Sequence, residues 1–188
     1  MASFVVMKRF LFISLFLFAG TTISFAQSNF RAFLGIQPSI TIEPFYEDGE
    51  LDVNILPIVL EFPIGNRVDF RILPLMNYHF GGEEQGLSDV GFFTVLPIFF
   101  KSQEESRYPF GFYAGPVLGL GRNLINDHYT TTLAVEPGYF FETKKRFSIS
   151  LGLQLGSSFF AYDAKPNKWV FHWGPKVSFG FWLGDSTE

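Results

Sequence analysis

The sequence predicts an all-β fold, an antiparallel up-and-down eight-stranded transmembrane β-barrel, and three observations carry that expectation. The first is a period of two. In Arg67 to Phe80 the even positions Val68, Phe70, Ile72, Pro74, Met76, Tyr78 and Phe80 are apolar, while Arg67, Asp69, Arg71, Asn77 and His79 occupy odd ones. A strand with this spacing has one apolar and one largely polar side. The second is composition: hydrophobic residues make up 47% of the 188, with 26 phenylalanines. Beyond the N-terminal stretch no run is long and apolar enough for a spanning helix, and a membrane protein without such helices must close a barrel to satisfy its backbone. The third is the start of the chain. Lys8 and Arg9 precede the apolar run Phe10 to Ala19, and Ser24-Phe25-Ala26 offers a small-x-small cleavage site, the pattern of a secretory signal peptide. The expected organisation is a signal peptide over 1–26 and an outer-membrane barrel over 27–188.

The staves follow in order. Phe30 to Ile42 alternates with Ala32, Leu34, Ile36, Pro38 and Ile40 apolar, and an acidic loop leads to Leu51 to Phe62, whose two faces are both apolar. Gly65-Asn66 reads as a tight hairpin supplying positive φ angles, and Arg67 to Phe80 returns as the third strand. Ser88 to Lys101 is the fourth. The fifth, Tyr108 to Gly121, sets Gly111, Gly115, Gly119 and Gly121 against Phe112, Pro116, Leu118 and Leu120, so its glycine face is expected to leave room inside. Tyr129 to Phe141, Phe147 to Leu155 and Trp169 to Leu183 complete the set. Eight is the smallest usual number for a single-chain outer-membrane barrel. Connections after strands two, four and six read as short and the others as longer, which places both chain ends and the short turns in the periplasm. Proline recurs at Pro38, Pro57, Pro74, Pro97, Pro116, Pro137 and Pro175, expected as a belt on the apolar face with local bulges, because proline cannot donate to a ladder.

In this pattern, across nearly the whole length after residue 26, the chain resembles the small eight-stranded outer-membrane barrels of the OmpX and OmpW kind. The resemblance implies a closing strand read by the barrel assembly machinery, carried here by Val177, Phe179, Phe181 and Leu183. The family usually ends on an aromatic residue, whereas this chain continues through Gly184 to Glu188.

Charge and chemistry narrow the function. Lys+Arg 14 against Asp+Glu 18 gives a formal net charge of −4 without a basic stripe, so nucleic acid is not an expected partner. With no cysteine there is no disulfide framework, thiolate site or lipoprotein anchor. His79, His128 and His172 lack metal-ligand spacing, and no cofactor, metal or catalytic residue is expected. His128-Tyr129-Thr130 resembles the His-x-Ser pair of outer-membrane lipid A deacylases, with Thr130 in place of the serine. The polar faces predict a luminal charge cluster of Asp69, Arg71, Glu136, Gln154 and Lys176, with Glu136 and Lys176 as its central pair. Leu56, Ile58, Leu60, Phe62, Leu96, Ile98 and Phe100 are expected to face inward as an apolar lumen wall, either packed shut or open to a lipid tail or small hydrophobic solute. The leading expectation is therefore an integral outer-membrane protein with a structural or surface-interaction role in the cell envelope, its partners being membrane lipid and the assembly machinery. The alternative is binding or passage of small hydrophobic molecules; a lipid-modifying enzyme is third.

Overall fold

Alternating sequence becomes alternating structure. In β5 (Asp69–Phe80) the odd residues Asp69, Arg71, Leu73, Asn77 and His79 are buried, while the even ones stand on the outer face. The computed structural model describes residues 31–41, 50–81, 85–103, 109–141, 146–163 and 165–184, so the signal-peptide stretch lies outside the described residues. One compact unit, Arg31–Leu183, holds all the strands; the second, Met1–Phe30 with Gly184–Glu188, has only Gly184 among the described residues.

The strands are β1 (Ala32–Ile36), β2 (Ile40–Thr41), β3 (Leu51–Asn54), β4 (Ile58–Pro63), β5, β6 (Gly86–Val95), β7 (Ile98–Phe99), β8 (Gly111–Asn123), β9 (His128–Phe141), β10 (Phe147–Tyr162) and β11 (Lys168–Leu183). Three pairs, β1/β2, β3/β4 and β6/β7, are single staves interrupted at Pro38, Pro57 and Pro97, which leaves eight staves. All neighbours are antiparallel and consecutive, and β1 closes on β11 through Ala32↔Leu183 to Ile36↔Phe179. The fold is a closed up-and-down barrel. Closure removes every edge, so each stave has a partner on both sides.

The seven prolines are accommodated by gaps. Besides the three interruptions, the β9–β10 ladder skips Glu136 and Pro137 between Val135↔Leu155 and Gly138↔Gly152 without changing register. On β5 the ladder shifts by one residue across Pro57, from Asn54↔Asn77 to Leu60↔Ile72, so a bulge accommodates that proline as expected, whereas the register shift in β5–β6 lies away from any proline, at Asn77/Tyr78. Six stand on the outer or half-buried surface; Pro97 is buried and faces inward with Val95 and Phe99.

Three other expectations are corrected. The reversal between β4 and β5 is not a two-residue hairpin: Ile64 N and Gly65 N both donate to Val68 O, at 2.9 and 3.0 Å, and neither Gly65 nor Asn66 has a positive φ. The connections do not alternate in length, since 100–110, after the fourth stave, is the longest. The glycines of β8 leave room only in part: Gly121 lines a cavity, while others are filled against. A Cβ on Gly119 would run into the Phe93 ring, and one on Gly115 into the backbone of Leu96. At Gly91 opposite Gly121 and at Gly35 opposite Gly180, a side chain on Gly91 or Gly180 would overlap the neighbouring backbone. These pairs let the sheet turn a tight corner, which a barrel of this size requires.

Inside, the end that holds both termini of the barrel is filled by Phe33, Val59, Leu73, Val95, Val117 and Trp182, adjoined by Phe99, Tyr113 and Phe140. Phe140 contacts both groups, its ring centroid 6.0 Å from Phe33 and 6.1 Å from Tyr113. Outside, Trp169, Phe171 and Trp173 are 67, 68 and 64% exposed.

Candidate functional site

Above that apolar floor the lumen is crossed by a polar network centred on Arg71. Its guanidinium, 1% exposed, holds Glu61 of the adjacent stave at 2.5 Å through Nε and Glu136 of β9 at 2.8 Å through Nη1. Both carboxylates are fully buried. Tyr113 Oη donates to Glu136 Oε1 at 2.8 Å, and Gln154 Nε2 donates to Glu136 Oε2 at 2.7 Å. Gln154 Oε1 then faces His172 Nε2 at 3.1 Å, and the His172 ring stacks on Phe93, 6.1 Å away at 25°. Because Gln154 spends its amide N–H on Glu136, its oxygen is the acceptor for His172, which sets Nε2 as the protonated nitrogen. Phe93 on β6 and His172 on β11 sit half the barrel apart in strand order, so the chain of contacts spans the lumen.

The network contains Arg71, Glu136 and Gln154 of the expected cluster. Asp69 is buried on the same face, a diagonal neighbour of Glu61 through the pairs Glu61↔Arg71 and Pro63↔Asp69. Lys176 does not join. It faces inward across from Gly152, but Glu136 has both oxygens engaged by Arg71, Tyr113 and Gln154, and Lys176 has no ion pair among the described residues. The central pair is Arg71–Glu136, because a guanidinium reaching from β5 fills the position that Lys176 was expected to hold. Three acids, Glu61, Asp69 and Glu136, thus face Arg71, with Arg31 as a further cation acting on Asp69. The imbalance is visible in Arg71 Nη2, Glu61 Oε1 and Asp69 Oδ2, all buried without a hydrogen-bond partner.

The expected apolar lumen wall is on the other side of the sheet. Leu56, Ile98 and Phe100 are 37, 44 and 68% exposed. Leu60 pairs with exposed Leu34 and with Ile72 on the outer face, and Ile58 and Phe62 share its side; Leu96 lies opposite exposed Pro116. The inward residues are Val59, Glu61, Val95 and Phe99. In the second stave the one-residue shift across Pro57 reverses the parity, so even Asp52 and odd Val59 and Glu61 all face inward, while in the fourth both faces are apolar and periodicity carries no sign; hydrogen-bonded register to β5 and β8 decides both. Glu61 and Tyr113 were the members missed. Glu61 had a signal, as the one charged residue in the apolar run Ile55 to Phe62, whose burial marks the inner face. Gly152 seats the network: a Cβ there would come to 3.0 Å from both Glu136 Oε1 and Tyr113 Oη.

Nearer the opposite rim lies a cavity of about 90 Å³, lined among others by Asp89, His172, Thr130, Phe93, Phe160 and Gly121. The β5–β6 register shift shapes it, because the inserted Ser88 and its neighbour Asp89 both turn toward the lumen, as a bulge allows. Asp89 accepts from Asn77 Nδ2 at 3.3 Å and Asn123 Nδ2 at 3.0 Å. Close by, His79 Nδ1 and Asp52 Oδ1 are 2.8 Å apart. His128 packs its ring on Phe160 and Tyr162, at 4.9 and 4.7 Å, and Thr130 is a half-buried wall residue. Among the described residues no group of three His, Cys, Asp or Glu side chains could hold a metal.

The fold and its interior define a class, a closed eight-stranded antiparallel β-barrel with a plugged polar core. No protein-family model, curated protein or solved structure matches the chain.

Proposed function

We propose that the chain is an integral outer-membrane β-barrel of the small OmpX/OmpW-like kind, serving the envelope as a structural or surface-interaction protein. The observation that carries this is the inverted distribution of polarity: Glu61, Arg71 and Glu136 are buried inside while large apolar side chains cover the outside. Water would penalise that surface and hydrocarbon would not. The outward aromatics also fall into two levels, Tyr129, Phe159 and Trp169 toward one rim and Phe112, Tyr139, Phe141 and Phe181 toward the other. From Tyr129 to Tyr139 a strand rising about 3.3 Å per residue and tilted about 40° climbs about 25 Å, the height of a barrel's apolar band. Leu133, Val135 and Pro137, all exposed, lie between.

The lumen crossed by Arg71 and Glu136 favours a structural role over passage of solutes, and the outward orientation of Leu56, Ile98 and Phe100 removes the apolar route on which passage of hydrophobic molecules rested. Cell fractionation tests the reading. The chain is expected in the outer membrane, migrating faster on gels unboiled than boiled; recovery in the soluble periplasmic fraction would overturn it.

A further inference from the structure

The cavity has a definite chemical character. Its carboxylate, Asp89, is held by Asn77 and Asn123 amides and the Ser88 hydroxyl, and no lysine, arginine or histidine pairs with it among the described residues. His172, having given Nε2–H to Gln154, presents in its neutral ring an acceptor at Nδ1. Thr132 and Ser158 hydroxyls bond each other at 2.7 Å. The remaining walls include Phe93 and Phe160. An acceptor-rich, cation-free chamber with aromatic walls complements a donor-rich cation: an ammonium group has three N–H donors and is attracted to ring faces.

Size and access agree. About 90 Å³ is room for roughly three waters at about 30 Å³ each, which suits an ammonium head with a short methylene stem. Asp89, Thr130 and His172 are half-buried, so solvent reaches them.

We propose that this luminal cavity binds a small organic ammonium, such as one end of a linear diamine, with its N–H groups on Asp89 and its methylenes against Phe93 and Phe160. The inference does not depend on the compartment of the protein.

The test is calorimetric titration of the full chain, folded in non-ionic detergent, with 1,4-diaminobutane dihydrochloride, and with 1,4-butanediol as the uncharged match. Saturable binding of the diamine and none of the diol is expected. Asp89→Asn should weaken it at least about tenfold, as loss of a charged hydrogen-bond partner does. Gly121→Ala is the second variant: its methyl would meet Leu75 and the Val90 carbonyl at an ordinary 3.5 Å while narrowing the chamber, and it should weaken binding with the barrel intact. Heat-dependent gel migration of each variant reports the barrel separately from the site. Failure of the diamine to bind, equal binding of the diol, or unchanged affinity in a variant that keeps its barrel would overturn the proposal and leave a chamber that holds water only.

Discussion

Arg71 is the residue on which the interior depends, because it makes the direct ion pairs with both Glu61 and Glu136 where water cannot reach. Removing one partner of a buried ion pair leaves an uncompensated charge, at a cost of about 3–5 kcal/mol. Arg71→Leu strands two carboxylates and should lower the urea midpoint more than Glu136→Gln, which strands none. Equilibrium unfolding of Arg71→Leu, Glu136→Gln and the double variant should show strong coupling, the double costing less than the two singles together. Lys176→Met, which removes a charge that acts on Glu136 only at longer range, should couple to both far more weakly. Asp69→Asn separates this account from one in which every luminal charge contributes: the Asp69 carboxyl lies within hydrogen-bonding distance of Glu61, where an amide can donate without a shared proton, so the variant should leave the midpoint unchanged or raise it, and a loss comparable to that of Arg71→Leu would refute the charge imbalance described above.

At the scale of strands, the interior is arranged by small residues at ladder positions more than by the strands' own propensity. Gly91 and Gly180 stand where a Cβ would enter a neighbouring backbone, so Gly91→Ala or Gly180→Ala forces the ladder apart at a corner. Neither variant should give the fast-migrating folded form on an unboiled gel. Gly65→Ala is the matched control, since nothing lies within 4 Å of the added carbon, and it should fold like the parent. Prolines act the opposite way. Pro97 ends one segment of its stave and the next resumes in the same register, as Val95↔Val117 and Ile98↔Ala114 show across β8, whereas Pro57 sits at a one-residue shift between Asn54↔Asn77 and Leu60↔Ile72. Stave continuity is thereby kept without the donor that proline lacks.

For the whole molecule the open matter is orientation. An even number of staves puts Ala32 and Leu183 at one rim with the turn 64–68, and the connections 81–85, 124–127 and 163–167 at the other. If the termini face the periplasm, a cysteine at Asn126 or Asp163 should react with a membrane-impermeant maleimide in intact cells, and one at Asn66 or Ser102 only after lysis. The reverse order would invert the topology while leaving the barrel unchallenged. Loop length does not support the choice, since 100–110 is the longest connection.

Much of this was legible in the residues alone. Where one face is polar and the other apolar, as in Asp69 to Phe80 or Tyr129 to Phe141, the period of two determined strand, face and the inward direction of Arg71, Glu136, Gln154 and Lys176, because burying one face of a pleated strand leaves only one orientation. What the sequence could not determine was which of two apolar faces turns inward at Leu51 to Phe62 and at Leu96 to Phe100. Nor could it choose the partner of Glu136. Both depend on distances between staves far apart in the chain: the register with β5 and β8 fixes the faces, and the reach of Arg71 across the lumen to Glu136, 65 residues away, excludes Lys176. Ion pairing is decided by which charged group arrives at a carboxylate first in space, and only the closed barrel sets that order.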